Sequence, residues 1–69
     1  MNYTKIETLA YDLGRYLSHI APNETNESIV SLAIKFTDTF ATGINTDNLQ
    51  ERGNFLYHVG RGYEYGLNQ

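Results

Sequence analysis

Tyr57, Arg61 and Tyr65 stand four residues apart near the end of this 69-residue chain, and Tyr11, Arg15 and His19 repeat the spacing near its start. Residues four apart lie one above another on a helix. A guanidinium on such a face can lie against a phenol ring and still present N–H groups to an acceptor. Tyr and Arg are also the residue types enriched where proteins meet, because each joins a broad flat contact to a polar tip. Tyr57, His58, Arg61 and Tyr65, with Tyr11 and Arg15, are therefore the candidate partner-binding residues. The same rings could instead stack on bases while Arg15 or Arg61 meets phosphate, which is the nucleic-acid or nucleotide alternative.

Other chemistry finds little support. His19 and His58 form no His-x-x-x-His or Glu-x-x-His pair on a helix face, so no metal is expected. Cysteine is absent. Ser18, Ser28 and Ser31 lie in no nucleophile-elbow context, and the neighbours Ser18 and His19 point in different directions along a helix. Gly60, Gly62 and Gly66 lack the Gly-x-Gly-x-x-Gly spacing, and no strand precedes them, so a phosphate-cradling loop is excluded. Neither a catalytic residue nor a cofactor is expected.

The elements that must position these residues are legible from period and caps. Ile6, Leu9, Ala10, Leu13, Tyr16, Leu17 and Ile20 make one apolar face, opened by the Thr4/Glu7 capping box and closed before Pro22. Ile29, Leu32, Ala33, Phe36 and Phe40 make a second face, with Asn23 or Thr25 as cap and Gly43 as stop, Ile44 folding back on the last turn. Leu49, Leu56, Val59, Tyr63 and Leu67 make a third, capped by Thr46 or Asp47 and expected to fray near Gly66, since its four glycines each cost roughly 0.5–1 kcal/mol against alanine. The spacing predicts an all-α, small antiparallel three-helix bundle with helices near 4–20, 24–42 and 47–66. It forms one domain over residues 1–69. Tyr16 and Tyr63 are expected to pack beside the core with their hydroxyls at its rim.

A second stripe on helix 2, Val30, Ile34 and Ala41, widens its apolar face beyond that of an ordinary surface helix. Gly53 and Gly60 flank the core stripe of helix 3 on one side, Gly62 and Gly66 on the other, and glycine admits a close neighbour. Val30, Ile34, Ala41, Gly62 and Gly66 are accordingly the expected oligomer interface of a homodimer.

Charge and size narrow the function. Five basic residues against eight acidic ones give a net charge of −3, and the basic residues are scattered, unlike those of a duplex-DNA binder. A helix-turn-helix fits poorly as well, because "TGINTDN" is longer than its turn and acidic Glu51 would open the recognition helix. No apolar run is long enough to span a membrane, and neither a secretory leader nor a glycan site is expected. Together these features imply a cytoplasmic, non-enzymatic interaction protein. Its expected role is that of a regulator or inhibitor that binds and blocks another protein, of the kind that bacteria or phages use against defence systems.

Overall fold

A computed structural model describes residues 5–40 and 47–69, the side chains of Thr39 and Phe40 excepted. Three helices, α1 (Lys5–Ile20), α2 (Asn26–Phe40) and α3 (Leu49–Leu67), form an all-helical bundle. Among the described residues no helix is long and apolar enough to cross a membrane. Helix α1 ends where Pro22 requires. Thr25 caps α2, its Oγ1 accepting from the Ser28 amide at 3.2 Å, so that helix starts two residues later than 24. Thr4, Ala41, Gly43 and Ile44 fall outside the described residues, as do the expected cap, stop and fold-back that depend on them.

The start and end of α3 both correct the sequence reading. Asn48, rather than Thr46 or Asp47, is the cap: its Oδ1 accepts from the amides of Gln50 and Glu51, each at 3.0 Å, which satisfies two otherwise orphaned donors. The helix does not fray at Gly66 but continues to Leu67, and Asn68 closes it by returning its backbone N–H and side-chain amide to the Glu64 carbonyl. Packing holds the glycines in the helix. Their low propensity is outweighed where α1 lies against them.

Helices α1 and α3 run parallel and very close. Glu7 meets His58, Tyr11 meets Gly62, and Arg15 and Ser18 meet Gly66, so residue numbers rise together along the pair. Alternating directions in a three-helix bundle put the first and third helices in this relation. The approach is close because small residues line both sides in steps of four: Ala10, Gly14 and Ser18 on α1, Gly62 and Gly66 on α3. A Cβ on Gly14 would stand on the Val59 carbonyl oxygen and 2.7 Å from the Tyr63 nitrogen. One on Gly62 would stand on the Tyr11 carbonyl oxygen. Ser18 joins this row without a polar penalty, since its hydroxyl donates to the Arg15 carbonyl at 2.5 Å.

Helix α2 covers the pair with Ile29, Ala33 and Phe36, and Thr37 sits buried beside them with its hydroxyl donating to Ile34 at 2.7 Å. The core is Ala10, Leu13, Leu17, Ile29, Ala33, Phe55, Val59 and Tyr63. Compared with the expected stripes, both outer helices are rotated. Leu49 is 80% exposed and Tyr16 55%, while Phe55, Gly62 and His58 point inward. Ile6, Ile20 and Leu67 are exposed too. The reason is that backbone apposition at glycine aligns the helices, and a hydropathy pattern gives no weight to a residue with no side chain.

Tyr63 is the expected packing tyrosine, and its hydroxyl donates to the Ala21 carbonyl at 2.5 Å, tying the end of α1 to α3. Tyr63→Phe leaves that carbonyl without its donor. A urea titration is expected to show a loss of about 1 kcal/mol. A midpoint equal to that of the parent would show that water replaces the bond at no cost.

Candidate interaction surface

The parallel register carries the two Tyr/Arg stripes to one place. Tyr11 and Arg15 on α1 lie beside Tyr57, Arg61 and Tyr65 on α3, because each helix presents these residues next to its glycine row. Arg15 Cζ sits 5.2 Å from the Tyr65 ring centroid. Arg61 Cζ sits 5.9 Å from the Tyr11 centroid and 6.0 Å from that of Tyr57. The Tyr11 and Tyr65 rings are 6.0 Å apart and inclined by 42°. All of these fall within the range in which a ring face attracts a cation or another ring.

The sequence stripes are thus joined rather than separate. Arg61 lies near Tyr57 as the spacing requires, but its second ring belongs to Tyr11 of the other helix rather than to Tyr65. Tyr65 is met by Arg15. Tyr57 is 64% exposed and Tyr65 is exposed as well, so both phenols offer area to a neighbour. Among the described residues the buried Arg15 Nε has no hydrogen-bond partner, and burying a donor in that state carries a cost.

His58 does not belong to the outward face. It is only 6% exposed, its Nε2 lies 3.1 Å from Glu7 Oε2 across the α1–α3 junction, and its ring meets Tyr57 edge-on at 5.2 Å. The rotation of α3 that seats Gly62 against Tyr11 also turns His58 inward. Glu7 is a contributor the sequence reading missed, having been given only a capping role. One signal was available: Glu7 precedes Tyr11 by a turn as His58 precedes Gly62, which becomes informative once the helices are known to be parallel.

The expected oligomer interface is redistributed. Gly62 is buried against Tyr11, and Gly66 faces Ser18, with a Cβ there only 2.7 Å from Ser18 Cβ. The chain's own α1 occupies both positions, so neither is an outer surface. Val30 and Ile34 are half-buried on α2, Val30 lining the groove between α2 and α3. Ala41 lies outside the described residues. Among the described residues no three His, Asp or Glu side chains converge as metal ligands would.

Fold and surface together define a small all-α protein bearing an aromatic–cationic face across two parallel helices. Comparison with protein-family models, curated proteins and solved structures gives no match.

Proposed function

We propose that this chain is a non-enzymatic interaction protein that binds and blocks another protein through the Tyr11, Arg15, Tyr57, Arg61 and Tyr65 face. One observation supports this reading above the others. Two arginines and three tyrosines from separate helices interleave in one cluster whose backbone is fixed by glycine contacts, so the face is organised before any partner arrives. Preorganised Arg and Tyr lose less side-chain freedom on binding than flexible groups. A protein suits the face better than a nucleic acid, because a chain of net charge −3 repels a polyanion and the rings already spend area on each other and on arginine. The setting proposed is cytoplasmic, with the chain acting as a small bacterial or phage regulator that occupies a site on a defence complex.

The double variant Arg15→Gln, Tyr57→Ala tests this. Both positions are peripheral to the core, so melting is expected to change by no more than about 1 kcal/mol. Recovery of a stoichiometric protein partner on a tagged chain is expected to be lost. Undiminished recovery sinks the assignment of this face. Recovery of nuclease-sensitive material that dissociates steeply with salt would favour the nucleic-acid reading instead.

A further inference from the structure

Helix α2 is attached to the bundle differently from the other two. Helices α1 and α3 touch along their length, with backbone against backbone at Gly14 and Gly62, the Glu7–His58 contact at 3.1 Å, and the Tyr/Arg contacts across their junction. Helix α2 meets each of them at few points. It gives Ile29, Ala33 and Phe36 to the core, while the buried Thr37 turns its hydroxyl back on its own helix at Ile34. Among the described residues no polar side chain of α2 hydrogen-bonds or ion-pairs with α1 or α3. Open grooves flank α2 on both sides, one past Val30, Leu56 and Gly60 and the other past Leu9, Tyr16 and Phe36, so the strip on which it rests is narrow.

We infer that α2 is a separately opening cover, which leaves the α1–α3 pair as one unit while the pair and its Tyr/Arg face stay assembled. The forces at the two kinds of junction set this order. Releasing α2 uncovers apolar side chains such as Leu13, Val59 and Tyr63, a loss that scales with area. Parting α1 from α3 also separates Glu7 from His58, three guanidinium and ring contacts, and the Tyr63–Ala21 hydrogen bond. A hinge is in place as well. The Tyr63 hydroxyl holds the Ala21 carbonyl at 2.5 Å, so the end of α1 stays on α3 and the chain turns only after it, over the exposed residues 22–25. The Tyr/Arg cluster has no member on α2, since its ring and guanidinium contacts lie within α3 or join α3 to α1. Opening therefore changes the apolar side of the protein and leaves the aromatic–cationic side as it is. The inference does not depend on what that face binds.

Native-state hydrogen exchange of the full chain, followed by NMR over a series of low urea concentrations, tests the order of opening. The amides of Ala33 and Ile34, in the middle of α2, are expected to exchange at least about tenfold faster than those of Leu13 and Val59, in the middle of α1 and α3. Their rates are expected to rise together with urea, on a slope smaller than the one that Leu13 and Val59 share, because opening one helix exposes less surface than unfolding the whole chain. Protection and slope equal to or above those of Leu13 and Val59 would make the bundle a single cooperative unit and overturn the inference. So would α2 amides that each exchange at a rate of their own without responding to urea, the pattern of local fluctuation rather than of a helix leaving as a whole.

Discussion

Gly62→Ala is expected to destabilise the chain by at least about 2 kcal/mol, enough to lower the melting temperature by roughly 8–16 °C for a domain of this size. The new methyl group falls on the Tyr11 carbonyl oxygen and lies 2.8 Å from the Tyr11 carbonyl carbon, so relief requires moving a backbone rather than a side chain. Separating α1 from α3 would also loosen Phe55 and Val59 and draw His58 away from Glu7. Alanine's better helix propensity, up to about 1 kcal/mol, offsets only part of this. Gly53→Ala is the matched control in the same helix. Among the described residues its Cβ meets nothing within 4 Å, so that propensity gain is expected to appear as a stabilisation of roughly 0.5–1 kcal/mol. Thermal melts of the two variants at low protein concentration should therefore move in opposite directions. A Gly62→Ala chain that melts at or above the parent temperature would mean that α1 and α3 do not touch there.

Phe55→Ala should cost about 3–5 kcal/mol, the loss expected when a fully buried aromatic leaves a cavity. Phe55 has no exposed surface and, with Val59, is one of the two largest fully buried side chains. A chain of 69 residues has a total stability of roughly 3.5–10 kcal/mol, so this one truncation takes it close to or past the unfolding midpoint at room temperature. Leu49→Ala, at an 80% exposed position of the same helix, is expected to change stability by no more than about 0.5 kcal/mol. Chemical denaturation of both variants at dilution ranks the positions. The hydropathy stripe ranks Leu49 as core and leaves Phe55 on a flank, so the opposite order of effects would restore that stripe and refute the rotation of α3.

Much of the architecture was legible because it is local. Three-and-four spacing, the Pro22 stop and the cap near residue 25 depend on neighbours in sequence, and the three helices followed from them. The facing of α1 and α3 was not legible in the same way. It is set by Gly14 against Val59 and Tyr63, and by Gly62 against Tyr11, pairings between distant parts of the chain that no periodicity reports. Gly62 and Gly66, expected to face outward, are the inner contact, whereas Gly53 and Gly60 meet no neighbour among the described residues.

The candidate surface divides along the same line. Tyr57 with Arg61 is an i, i+4 relation, and the sequence alone determined that they would be near one another on one helix. That Arg61 reaches Tyr11, that Arg15 covers Tyr65, and that His58 turns inward to Glu7 were decided only by the tertiary structure. Period and capping fix which side chains share a helix face, because the geometry of one helix is the same everywhere. Which faces meet depends on how closely two backbones can approach, and here the smallest side chains settled it.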